Sequence, residues 1–199
     1  RIRVKSSNPA LTATANTSNI SITLVSNSVA PTTIQNIAAN ANGSLLTVTE
    51  TPTALAREWQ YTTTSGSGYQ AFSPLQSGST YTPNFATAGT YYVVCYSTFP
   101  GGITVKSAET QINVVSNAIA PTSSQSILVG VNGTPLTVTE TPIGTWREWL
   151  YSTTSGSGYV SFSPAITSAT SYTPNFLSAG SYYVVCQSLI NGVTVYSNE

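Results

Sequence analysis

Apolar and polar residues alternate in short runs along most of the chain. In Tyr91-Tyr92-Val93-Val94-Cys95, residues 91, 93 and 95 fall on one face of an extended strand, and Trp59 shares a face with Tyr61. No stretch longer than about ten residues carries apolar positions at helical spacing between capping residues. The pattern predicts strands at 32–39, 44–50, 56–64, 69–73, 79–82, 89–98 and 103–115, and again at 122–129, 134–140, 146–154, 159–163, 170–173, 180–189 and 193–199. Asn42-Gly43, Asn132-Gly133 and Asn191-Gly192 are hairpin-turn dipeptides. Pro31, Pro52, Pro74 and Pro83 stand at strand edges or between strands, where a missing N–H is tolerated. Short strands closely spaced by turns over about 90 residues are the pattern of an all-β sandwich.

The two sets of strands are copies. Ser26-Asn27 and Ala30-Pro31-Thr32 return as Ser116-Asn117 and Ala120-Pro121-Thr122. Thr47 to Pro52 returns unchanged as Thr137 to Pro142, and Arg57-Glu58-Trp59 as Arg147-Glu148-Trp149. The loop Thr63-Thr64-Ser65-Gly66-Ser67-Gly68-Tyr69 returns as Thr153 to Tyr159, and Tyr91 to Cys95 as Tyr182 to Cys186. Such self-similarity marks a repeat architecture. Residues 26–115 form one complete repeat. Residues 116–199 form a second that stops before its last strand. Residues 1–25 follow the plan of residues 92–115, with Asn19 to Val25 closing before Ser26-Asn27, so they read as the C-terminal hairpin of a preceding repeat.

Composition narrows the chemistry. Only 6% of residues are charged, against roughly a quarter in an average domain, so neutral Thr, Ser and Asn must carry solubility. Six basic residues balance six acidic ones, which removes the clustered positive charge that nucleic acid or an anionic membrane surface requires. There is no His, the commonest general base and transition-metal ligand, and no Asp for a calcium loop. No run approaches the length of a membrane helix. An enzyme, a cofactor, nucleic-acid binding and membrane insertion of this segment are therefore not expected.

Trp59 on a central strand, followed by Ala88-Gly89-Thr90-Tyr91-Tyr92-Val93-Val94-Cys95, resembles the immunoglobulin-type pattern of a core Trp and an Ala-Gly-x-Tyr run into a late strand. More narrowly, Trp-Gln-Tyr, Gly-Ser-Gly, Tyr-Thr-Pro and Ala-Gly-Thr-Tyr-Tyr resemble the Ig-like and PKD-like repeats of cell-surface adhesins in gliding and other Bacteroidetes-type bacteria. That resemblance implies tandem immunoglobulin-like β-sandwich domains in an exported stalk or adhesin, extracellular and on the cell surface. The antibody pattern is not complete. Leu46 or Val48 occupies the place of the disulfide partner of Cys95, and there is one Cys per repeat.

Each candidate chemical feature has a structural reading beside it. Cys95 and Cys186 lack a His to activate them and are expected to be buried core thiols rather than nucleophiles or a disulfide pair. Glu50 and Glu58, with Glu140 and Glu148, offer paired carboxylates, but each recurs beside Arg57 or Arg147, which favours a structural ion pair at a sheet edge. The Gly-Ser loops at 63–69 and 153–159 lack the helix and basic residue of a phosphate cradle. Their recurrence makes them the place to seek a ligand, with Tyr69 and Tyr159 as contacts. Trp59, Trp149, Tyr91 and Tyr182 are expected in the cores with the two cysteines. Trp146 replaces Ala56, so the fold does not require it, and it joins the tyrosines as a possible sugar-stacking surface. Asn16, Asn19, Asn42 and Asn132 head glycosylation-type triplets.

The leading expectation is a structural spacer that contacts neighbouring repeats of the same polypeptide. The alternatives are a module binding surface glycans and a fibre of identical subunits completed by each other's strands.

Overall fold

The computed structural model describes residues 22–199, and the hairpin expected over residues 1–25 lies outside that range but for its last four residues. Among the described residues every regular element is a strand: β1 (Ser26–Ala30), β2 (Gln35–Ala38), β3 (Leu46–Thr51), β4 (Ala56–Thr62), β5 (Gln70–Ala71), β6 (Thr80–Tyr81), β7 (Gly89–Phe99), β8 (Ile103–Lys106), β9 (Thr110–Ala120), β10 (Leu136–Thr141), β11 (Trp146–Ser152), β12 (Val160–Thr167), β13 (Ser171–Tyr172), β14 (Tyr183–Ile190) and β15 (Val193–Tyr196).

In the first unit one sheet runs β1-β3-β6. The facing sheet runs β5-β4-β7-β9, with β8 pairing the far end of β7 and β2 lying parallel to β9. The chain thus begins in one sheet with β1, turns at Pro31 and joins the other as β2. Proline at the crossing has no N–H to leave unpaired. This two-sheet, crossed arrangement is an immunoglobulin-like sandwich. The second unit repeats it, with β13-β10-β9 in one sheet and β12-β11-β14-β15 in the other.

Each sandwich has its own core. In the first, Trp59, Leu46, Val93, Cys95 and Ile112 are fully buried together with Val48, Phe85 and Val114. Trp59 opposes Cys95 across β4 and β7, and its indole N–H donates to the carbonyl of Gly78 at 2.9 Å. In the second, Trp149 opposes Cys186, and its N–H donates to the carbonyl of Ala169 at 3.0 Å. Leu46 and Val48, which share the expected disulfide-partner position, both pack in the Cys95 core. Aromatic rings fill the rest of the space between the sheets. Tyr61 stacks on Phe72 at 4.7 Å, and Phe85 lies on Tyr91 at 3.9 Å with the planes 11° apart. Tyr151–Phe162 and Phe176–Tyr182 repeat those pairs. Most of the aromatic residues are therefore consumed inside the fold.

Three strand expectations are corrected. The run 103–115 is two strands, β8 and β9, interrupted at Ser107, whose backbone N–H donates to the Cys95 carbonyl while its hydroxyl accepts from the Cys95 N–H. Residues 26–30 and 116–120, which no expected strand covers, are extended and paired to β3 and β10. Their Ser and Asn content hides them, but Val29 and Ile119 point into the cores. Residues 122–129 form no strand, although their counterpart contains β2. A strand needs a partner: β2 lies along Ile112–Val115, and among the described residues no strand stands beside 122–129 in that place.

Truncating Trp59 to Ala should cost about 3–5 kcal/mol, the range for emptying a large buried aromatic site. Denaturant unfolding followed by far-ultraviolet circular dichroism would read it, and a loss below 1 kcal/mol would contradict the packing described.

Candidate functional site

Two polar assemblies recur in both units, and they gather most of the charged residues that sequence reading singled out. The first is buried between the sheets. Asn27 on β1 sends its side-chain amide to the carbonyls of Cys95 and Val105 and to the Ser97 hydroxyl, at 2.8, 3.1 and 2.8 Å. Ser97 donates in turn to a Glu50 oxygen at 2.5 Å. The other Glu50 oxygen accepts from Arg57 Nε at 3.0 Å, from its terminal nitrogen at 2.5 Å and from the Ala54 N–H at 3.2 Å. Asn117, Ser188, Glu140, Arg147 and Gly144 make the corresponding contacts in the second unit.

The ion pair is therefore not at a sheet edge, as the sequence suggested. Glu50 lies on β3 and Arg57 on β4, in opposite sheets, and the Glu50 side chain is only 3% exposed. Burial alone would raise the carboxyl pKa of Glu50, but bonds from Ser97, Arg57 and Ala54 hold it below its ordinary value. Glu140 is held low in the same way by Arg147, Ser188 and Gly144 against its burial. A carboxylate with its lone pairs engaged by fixed donors is a brace, not a free acid or base. Glu58, the other half of the carboxylate pair considered above, accepts from the Gln60 amide at 2.9 Å.

The second assembly is the Gly-Ser loop, which is exposed from Thr63 to Gly68. Its donors converge on one carboxylate outside the loop. Ser65 Oγ and the Gly66 N–H each reach Glu109 at 2.7 Å, and the Tyr69 hydroxyl donates to the same group. Positive φ at Gly66 and Gly68, 87° and 71°, lets the backbone turn its N–H inward. Lys106 donates to the Tyr69 oxygen at 2.9 Å and lies 4.3 Å from its ring centre. In the second unit Ser155, Gly156 and Tyr159 converge on Glu199. There Tyr196 stands at the Lys106 position and stacks on Tyr159, 6.2 Å between ring centres. The loop is thus latched, and its donors are engaged within the chain. The recurrence of Ser-x-Glu at 107–109 and 197–199 was the signal for this latch, and reading the loop alone missed it.

The structure does not bring the three proposed contact residues together. Tyr69 and Tyr159 occupy equivalent loops of different units. Trp146 begins β11, whose other end, Ser152, leads into the Tyr159 loop. Seven residues of strand, about 20 Å, separate the two ends. Trp146 is 38% exposed. Cys95 and Cys186 are fully buried free thiols, and burial pushes both pKa values up, away from the thiolate. Tyr91 packs on its core, whereas Tyr182 is half-buried and lines an open cleft. Asn42 and Asn132, heads of two glycosylation-type triplets, are exposed and accept from Asn84 and Asn175, at 2.8 and 2.7 Å. Asn16 and Asn19 lie outside the described residues.

No protein-family model matches the chain, and no curated protein matches it. Among solved structures it is similar to the fibronectin(III)-like modules of Clostridium thermocellum CbhA, with 14% identity over 88% of this chain and 93% of that chain and a TM-score of 0.31. The immunoglobulin-like assignment rests on the strand pairing itself.

Two measurements follow from the buried groups. A carboxylate whose folded pKa lies below its unfolded value adds stability above that unfolded value, about 4.3. That stability is lost as pH falls through the folded pKa. The melting temperature should stay level from pH 7 to 5 and drop below about pH 4.5. Glu50→Gln should cost on the order of 2 kcal/mol at pH 7 and flatten the acid limb. An acid limb as steep as that of the parent would remove Glu50 from the brace. The thiols should react with an aromatic disulfide reagent at least about a thousandfold more slowly in the native chain than in denaturant, because labelling waits on an opening worth several kcal/mol.

Proposed function

We propose that this chain is a non-catalytic spacer, two immunoglobulin-like beads of a longer extracellular array that belongs to a bacterial surface adhesin or filament. The observation that carries the reading is β9. Its first half, Thr110–Val114, pairs with β7 in the first unit, and its second half, Ser116–Ala120, pairs with β10 in the second. No linker intervenes, and the ladder runs from one bead into the next. A second tie supports the joint. The Asn36 amide on β2 donates to the Asn191 carbonyl in the β14–β15 turn at 3.0 Å, and Asn113 on β9 donates to Asn36 at 2.8 Å. A module built to move would separate its beads with a flexible segment.

The recurring polar motifs fit this role. The Glu–Arg brace and the Glu-latched loop are both spent on holding the sandwich, once per bead. The resemblance to Ig-like and PKD-like adhesin repeats supplies the cell-surface setting, and neighbouring repeats of the same polypeptide are the natural partners. A glycan-contact role would rest on Trp146, the one tryptophan outside the two cores.

Spin labels at the exposed positions Thr63 and Thr153 test the joint. A single narrow distance distribution is expected, and a broad one would overturn the stiff spacer. Surface proteolysis of intact cells should release peptides of the array. Glycan-array binding that disappears in Trp146→Ala would transfer the assignment to recognition.

A further inference from the structure

The chain contains Asn-Gly steps at 42–43, 132–133 and 191–192. Sequence alone makes them equivalent, and the fold does not. Asn42-Gly43 precedes β3 and Asn132-Gly133 precedes β10, and neither joins two strands that pair with each other. Asn191-Gly192 does. It links β14 to β15, with Ile190 opposite Val193. φ is 50° at Asn191 and 78° at Gly192, the left-handed pair that a two-residue hairpin turn requires.

The first two steps are held at both residues. The Gly43 N–H donates to the Pro83 carbonyl at 2.8 Å, and Asn42 Oδ1 accepts from the Asn84 amide at 2.8 Å. The Gly133 N–H donates to the Pro174 carbonyl at 2.8 Å, and Asn132 Oδ1 accepts from Asn175 at 2.7 Å. A Cβ at either glycine would collide with the side-chain oxygen of Gln35 or Gln125, so these glycines serve close packing. The third step is free. Among the described residues neither the Asn191 side chain nor the Gly192 N–H has a hydrogen-bond partner. Both residues are exposed, and the space around Gly192 is open.

An asparagine followed by glycine loses its side-chain amide without an enzyme when the backbone between them is free to close a ring. The Gly192 nitrogen gives up its proton and attacks Asn191 Cγ. The bond from Cγ to the side-chain nitrogen breaks, ammonia leaves, and a five-membered imide remains. Water then opens the imide. Cleavage at the Cγ side gives aspartate, and cleavage at the backbone carbonyl gives isoaspartate. Water is the one co-reactant. Glycine has no Cβ to obstruct the approach or the rotation it needs.

We propose that Asn191 is a site of spontaneous covalent modification, and that its conversion loosens the joint between the two units. The Asn191 carbonyl is the atom that accepts from Asn36 on β2 at 3.0 Å, and Asn36 in turn accepts from Asn113 on β9 at 2.8 Å. In isoaspartate the backbone detours through Cβ and Cγ. The turn gains one chain atom, and the carbonyl that took the Asn36 bond becomes a free carboxylate. Either product adds a seventh acidic group to the six already in the chain, at a contact made by neutral amides. The ladder through β9 stays intact, so the joint is loosened and not severed. The first unit has Gly101-Gly102 in the matching turn between β7 and β8, with no amide to lose. The inference concerns the chemistry of this turn and does not rest on the spacer reading.

The test ages the folded chain at mildly alkaline pH and follows it by peptide mapping. Trypsin cleaves after Arg57, Lys106 and Arg147, which puts Asn42, Asn132 and Asn191 on separate peptides. The peptide 148–199 should gain about 1 Da and acquire isoaspartate at residue 191. It should do so at least about tenfold faster than the peptides carrying Asn42 and Asn132 convert at those residues, because two hydrogen bonds hold each of those steps back. In denaturant the three steps should convert at similar rates. Spin labels at Thr63 and Thr153 read the joint. Their distance distribution should broaden when the parent is aged. It should not broaden in aged Asn191→Gly, which suits the positive φ, keeps the carbonyl and has no amide to lose. Conversion at Asn191 no faster than at Asn42 or Asn132 in the folded chain overturns the site. A converted chain whose distribution matches that of the fresh parent overturns the effect on the joint. A distribution already broad in the fresh parent counts against both the stiff spacer and that effect, and the rates still decide the site.

Discussion

Strand β9 must satisfy its backbone in two sheets at once. Every buried peptide group needs a hydrogen-bond partner, and an eleven-residue strand has many. Thr110–Val114 finds them between β2 and β7, and Ser116–Ala120 finds them on β10. The side chains change allegiance at the same place. Ile112 and Val114 belong to the first core and Ile119 to the second. The rest of the architecture follows from this one segment. It fixes where the first sandwich closes, where the second begins, and that no free linker lies between them.

The low charge content makes sense in that frame. A sandwich assembled from Thr-, Ser- and Asn-rich strands gains less from apolar burial than an aliphatic one, and it needs other ties between its sheets. The Asn27–Ser97–Glu50–Arg57 chain supplies one, with each member on a different strand. Buried ion pairs often do no better than apolar packing. This one has its carboxylate surrounded by hydroxyl, guanidinium and backbone donors, which is the condition under which such a pair holds position and register. The same set returning at Asn117, Ser188, Glu140 and Arg147 shows that the constraint belongs to the bead, not to one accidental site.

Much of this was legible before any coordinates. The duplication, the period-2 runs and the core tryptophans announced two sandwiches, because burial on one face of a strand leaves a mark on the sequence. The Glu–Arg partnership was legible as well, though its location between the sheets was not, since spacing along the chain does not say which sheet a strand joins. β1 and its counterpart in β9 were missed because each buries only a single large apolar residue, Val29 or Ile119, in a polar run. Pairing on β3 and β10 holds them extended. The loop latch was missed for another reason. Its acceptor, Glu109, lies 40 residues from Tyr69, and only the fold brings them together.

The geometry of β9 also bears on what an array of such beads can resist. Hydrogen bonds in an antiparallel ladder lie perpendicular to the strands. A pull along β9 therefore loads the bonds to β7 and β10 in shear, together rather than one after another. The Asn27 and Asn117 amides add a further grip, since each ties the first strand of its bead to the opposite sheet close to where tension would enter. Stability in such a chain is a sum of bead terms and joint terms, and here the joint is made of the same backbone bonds as the bead. A load that opened the joint would have to break the edge of a sandwich. The coupling of bead and joint through one strand suits a tether better than a hinge.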